Sequence, residues 1–135
     1  MGLPWIGILL AGLAGFLANS LWFGPRTFFP LWWRLMGRGE ETPGGGASIV
    51  VTLGLSFAGC VAQATALAGI MASLGAGDLS FVGAAGAGLI AGLAVASASL
   101  GHRLFAGHGV GVWALEAGSD VLGLVLMSAV LSLWF

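Results

Sequence analysis

Hydrophobic positions gather into four long runs, at about residues 4–23, 48–73, 80–100 and 111–134, and the intervening stretches hold most of the charged side chains. Each run reaches the ~20 residues that a helix needs to cross ~30 Å of hydrocarbon. The pattern predicts an all-α membrane protein, with four transmembrane helices in a compact bundle. The first run has no positive n-region, and "FLANS" continues directly into "LWFGP". It is therefore expected to be a retained span and not a cleaved signal peptide.

The longest connection, "GPRTFFPLWWRLMGRGEETPGGG", predicts an element of its own. Pro25 stops the first helix, and Pro30 suits the first turn of a new one. A short interfacial helix is expected over about 26–38, with Trp22, Trp32 and Trp33 among the headgroups and Arg34 and Arg38 against anionic lipid. "EETPGGG" then reads as a solvated hinge. Connections this short leave no room for a soluble module, so residues 1–135 are expected to form a single integral membrane domain.

Composition strengthens the membrane reading. The chain is 59% hydrophobic and 7% charged, against roughly 25% charged in an average soluble domain. A formal net charge of −1, with four arginines and no lysine, gives no electrostatic footprint for nucleic acid. The single cysteine, Cys60, excludes an intrachain disulfide and reads as a buried, inert thiol. Arg26, Arg34 and Arg38 fall between spans one and two, and Arg103 between spans three and four. All four lie on one side, which the positive-inside rule makes the cytoplasm, with both termini and the "GAGDLS" turn outside.

Small residues recur every fourth position on three helices: Gly7, Ala11, Gly15 and Asn19; Gly54, Ala58, Ala62 and Ala66; Ala84, Gly88, Gly92 and Ala96. Such stripes let backbones approach closely in lipid, where no hydrophobic force drives helices together. They are expected to form seams within the bundle, and their number makes a homodimer or a larger membrane complex plausible beside the lipid bilayer as partners.

The fourth helix carries the chemistry. Glu116, Asp120, Gly123 and Met127 share a face with Ser119 at its edge, while Leu115, Leu122, Leu126 and Leu133 form a separate lipid-facing stripe. Counted from Gly111 at 1.5 Å per residue, Glu116 lies roughly 8 Å deep and Asp120 roughly 14 Å. Asn19 falls at about the depth of Glu116 and is expected to hydrogen-bond it, with His102 or Arg103 approaching Glu116 from the inner boundary. Two acids one turn apart in low dielectric are expected to hold at least one proton between them unless an arginine or a cation compensates. Intramembrane acids point to proton relay, cation handling or a polar clamp between helices or subunits.

Enzyme readings find no footing. "HRLFAGHG" has no metal-ligand spacing, no nucleophile-elbow pattern occurs, and "GAAGAGL" lies inside a span and cannot be a phosphate loop. No catalytic residue, metal site or cofactor is expected.

"LANSLWFGPRTFFPLWWRLMG" and "HRLFAG" followed by "LEAGSDVLGLVLMSAVLSLW" resemble the two signatures of a small bacterial four-helix membrane family, the domain of unknown function numbered seventeen sixty-one. The resemblance covers essentially the whole chain. It implies a multi-pass protein of the bacterial cytoplasmic membrane and no established activity. Against the family pattern, Glu116 stands where a neutral polar residue such as Asn is expected, and Ser119 where an aromatic is expected. Two functions stay open: a non-catalytic binding or accessory bundle with an intramembrane acidic site, and a proton- or cation-coupled path for small solutes through a homo-oligomer.

Overall fold

The computed structural model describes residues 2–43, 48–75 and 79–135. Five helices follow one another: α1 (Trp5–Trp22), α2 (Phe29–Leu35), α3 (Ile49–Ser73), α4 (Phe81–Phe105) and α5 (Gly109–Leu131), with a closing 3-10 turn at Ser132–Trp134. All but α2 are long and apolar enough to cross a membrane. The expected all-α membrane bundle, with a short helix between its first two spans, is the fold. Residues 44–46 of the predicted hinge and 76–78 of the predicted "GAGDLS" turn lie outside the described residues.

α1 ends where Gly24 and Pro25 interrupt it, and Thr27 completes the end chemically. Its Oγ1 accepts from the Gly24 amide at 2.9 Å and donates to the Trp22 carbonyl at 2.7 Å. The Trp22 carbonyl, which the end of the helix leaves without an intrahelical donor, also accepts from the Phe28 amide at 3.0 Å. α2 is shorter than the expected 26–38: Pro30 sits in its first turn, and Gly37 and Gly39, at φ +73° and +57°, end it. Both glycines adopt the left-handed conformation that other residues resist.

The third span runs further than its apolar run suggested. α4 continues to Phe105 instead of stopping near residue 100, which leaves Ala106–His108 as the whole connection to α5. Gly107, at φ +78°, closes α4: its amide bonds the Leu104 carbonyl at 3.1 Å, and the His108 amide bonds the Arg103 carbonyl at 3.1 Å. This left-handed C-terminal cap turns the chain at once. As a result His102 and Arg103 lie on the last turn of a helix and not in a loop.

α5 is the hub, packed against α4, α1 and α3, with α2 resting on its first turns. The small stripe of α4 forms its seam with α5 as expected. A Cβ at Gly88 would lie 2.5 Å from the Leu124 carbonyl oxygen, and one at Gly92 would lie 2.8 Å from Val121 Cα. The α1 stripe packs as well, with Gly7 against the Trp134 ring, Gly15 against Met127, and neighbouring Gly12 against Val61.

The α3 stripe does not. Gly54, Ala58, Ala62 and Ala66 are exposed, and α3 turns Cys60, Ala64, Leu67, Ala68 and Met71 to the bundle. Residues 60, 64 and 68 repeat small side chains at the same spacing, displaced by two positions, or about 200° around the helix. Two opposite faces of α3 thus permit close packing, and tertiary contact selects one.

Candidate functional site

Glu116 and Asp120 sit one turn apart on α5, yet they belong to different environments. Glu116 meets Arg103 in a bidentate ion pair: Nε donates to Oε2 and Nη2 to Oε1, each at 2.6 Å. Trp32 of α2 donates its Nε1–H to the same Oε1 at 3.0 Å. The Glu116 and Arg103 side chains are 17% and 29% exposed. Arg103 Nη1 also lies 3.1 Å from His108 Nδ1. A guanidinium only donates, so Nδ1 accepts and the His108 ring proton resides on Nε2. Glu116 therefore ties the α4–α5 connection and α2 into one assembly.

Of the two expected boundary partners, Arg103 reaches Glu116, whereas His102 is exposed and makes no side-chain hydrogen bond among the described residues. Its place in the cluster is taken by His108. The expected bond between Asn19 and Glu116 does not form. Asn19 Oδ1 instead accepts from Ser119 Oγ at 2.6 Å, and its Nδ2 faces Cys60 Sγ at 3.9 Å. Helical side chains lean toward their own N-terminus, and α1 and α5 run antiparallel. Equal depth along the backbone thus sends the long Glu116 side chain toward the arginine-bearing end and Asn19 away from it.

The other expected anchors also make specific contacts. Trp22 donates its Nε1–H to the Leu115 carbonyl at 3.0 Å, and Trp33 donates to the Gly39 carbonyl at 3.1 Å. Arg38 stacks over Trp33 at 5.9 Å and pairs with exposed Glu41 at 3.0 Å. Arg34 lies beside a surface cleft that Phe29, Pro30 and Trp33 also line.

Asp120 faces a cleft of about 290 Å³ between α1, α3 and α5. Asn19, Ser20, Ser56, Cys60, Gln63 and Ser119 line it with Asp120, and Phe16, Phe23 and Leu53 complete the walls. Among the described residues, the Asp120 carboxylate accepts no hydrogen bond and forms no ion pair. Toward the end that carries both termini, the polar lining stops at a packed core of Ile8, Ala11, Leu67, Ala68, Met71, Met127 and Leu131. The cleft is one-sided.

The sequence reading did not join Trp32 or His108 to Glu116, nor Ser20, Ser56 and Gln63 to Asp120. Trp32 looked like a lipid anchor because an indole at a helix boundary serves that purpose equally well. Cys60 is buried at 4% exposure, as expected, although its sulfur belongs to the Asn19 contact and not to a purely apolar site.

Searches of curated proteins and of solved structures return no match to this chain. A family model described as a protein of unknown function, DUF1761, matches residues 6–132 and thus takes in α1 from its second residue, α2 to α5, Asp120 and the Glu116 clamp. The chain belongs to the DUF1761 family.

Proposed function

We propose that this protein is a non-catalytic binding bundle of the bacterial cytoplasmic membrane, which holds a polar group of a partner molecule or partner chain at the Asp120 cleft. The arginine-bearing end faces the cytoplasm in this reading, and both termini face outward. One observation carries the proposal: the Asp120 carboxylate faces a polar cleft without a partner, while Glu116, one turn away, has its oxygens engaged by Arg103 and Trp32. A carboxylate held in a membrane without a partner is costly and marks a functional site. The sealed core beyond the cleft favours holding over passage through a single copy.

Photo-cross-linking tests this reading. A photoreactive side chain at position 56, activated in native membranes, is expected to give an adduct of one defined mass, lost when Asp120→Asn is added. Adducts unchanged by Asp120→Asn refute it.

A second reading, cation-coupled transport through a homo-oligomer, draws support from the exposed Gly54, Ala58, Ala62 and Ala66 stripe on α3, the helix that supplies Ser56 and Gln63. A second copy docked there would extend the polar lining. That reading requires ion flux in proteoliposomes that disappears with Asp120→Asn.

A further inference from the structure

We infer that the Asp120 cleft is a receptor for a primary ammonium group, an inference that rests on the binding reading above and names its ligand chemistry. The argument comes from where the hydroxyl protons go. Ser20 Oγ donates to the Phe16 carbonyl at 2.8 Å, Ser56 Oγ donates to the Thr52 carbonyl at 2.8 Å, and Ser119 Oγ donates to Asn19 Oδ1 at 2.6 Å. A hydroxyl has one proton and two lone pairs. With each proton engaged inside the protein, these three oxygens offer the cleft acceptor capacity alone.

Asp120 adds two carboxylate oxygens to that set. The Asn19 amide spends one N–H on Cys60, and the Gln63 amide offers a carbonyl oxygen as well as N–H groups. With Asp120 ionised, the balance favours acceptors and the charge is negative. Arg103 cannot supply the missing cation, because its Nε and Nη2 are engaged by Glu116 and its Nη1 by His108.

A primary ammonium matches this lining, since it brings three N–H donors and one positive charge on a compact head. A transition-metal ion fits less well: among the described residues no group of three or more His, Cys, Asp and Glu side chains converges. Size points the same way. At about 290 Å³, the cleft lies at the lower edge of the ~300–1,000 Å³ typical of small-molecule sites. It admits a head and a short carbon stem, with Phe16 and Phe23 as the apolar walls for that stem. The ammonium belongs to a free alkylamine or to an aminophospholipid headgroup.

The test is native mass spectrometry of the full chain in phosphatidylcholine nanodiscs, titrated with n-butylammonium. Saturable one-to-one binding is expected, at least tenfold weaker for Asp120→Asn and several-fold weaker for the Ser20→Ala, Ser56→Ala double variant, whose side chains are exposed and remote from the core. Tetramethylammonium, a cation without N–H groups, and 1-butanol, a neutral stem, are expected not to compete. Equal competition by either probe, or undiminished binding to both variants, overturns the inference. Competition by phosphatidylethanolamine nanodiscs assigns the ammonium to a lipid headgroup, and its absence assigns it to a free alkylamine. If n-butylammonium fails to bind while the Asp120-dependent cross-link at position 56 persists, the ligand class falls and the binding reading stands. Loss of both removes both.

Discussion

Removing Arg103 leaves Glu116 as a largely buried carboxylate with one neutral donor, Trp32. Breaking a fully buried ion pair by deleting one partner costs about 3–5 kcal/mol, whereas exposed pairs are worth about 0.2–1 kcal/mol. With the two side chains 17% and 29% exposed, Arg103→Met is expected to fall between these limits, at about 2–3 kcal/mol. That corresponds to roughly a 30- to 150-fold shift in the unfolding equilibrium, at tenfold per ~1.4 kcal/mol.

The reverse deletion is milder. In Glu116→Gln the amide oxygen still accepts from Trp32, and Arg103, on the last turn of α4, can carry its charge outward along its flexible stem. About 1 kcal/mol is expected, in the range for a lost hydrogen bond. Combining the substitutions removes the stranded charge, so the double variant is expected to be more stable than Arg103→Met alone. Titration from mixed micelles into dodecyl sulfate, followed by tryptophan fluorescence, supplies all four corners of this cycle. A single Arg103→Met variant as stable as wild type, or a double variant showing no recovery, refutes the clamp.

Three further outcomes are expected, two from the contacts and one from the proposed orientation. Gly88→Ala is expected to destabilise the α4–α5 pair by about 1–3 kcal/mol through overpacking, because its Cβ would fall 2.5 Å from the Leu124 carbonyl oxygen; Gly54→Ala, with nothing within 4 Å, is expected to be neutral or slightly stabilising in the same titration. Trp32→Phe keeps an aromatic ring but removes the donor to Glu116, so hydrogen exchange in α2 is expected to quicken while α4 and α5 keep their protection. With Cys60 replaced, a cysteine at position 40 is expected to resist an impermeant thiol reagent in intact cells and to react after lysis; labelling in intact cells refutes the proposed orientation.

The sequence alone determined the number of spans, because an apolar run of ~20 residues in lipid must satisfy its backbone within a helix. It also located the short helix through Pro25 and Pro30, the α4 seam through Ala84, Gly88, Gly92 and Ala96, and the two acids on the polar face of α5. What it left open depends on which way side chains lean and which of several permitted faces is used. Glu116 and Asn19 share a depth, yet antiparallel helices point them apart, a relation that exists only once α1 lies beside α5. The two small faces of α3 are equivalent as patterns, and contact with α1 and α5 chose the one bearing Cys60 and Ala64. Arg103 looked like a loop residue because the apolar run fades near residue 100, but the cap at Gly107 extends α4 past it and carries its guanidinium to Glu116. Ser20, Ser56 and Gln63 become part of a site with Asp120 only through the packing of three helices, since periodicity places residues on faces and says nothing about which faces meet.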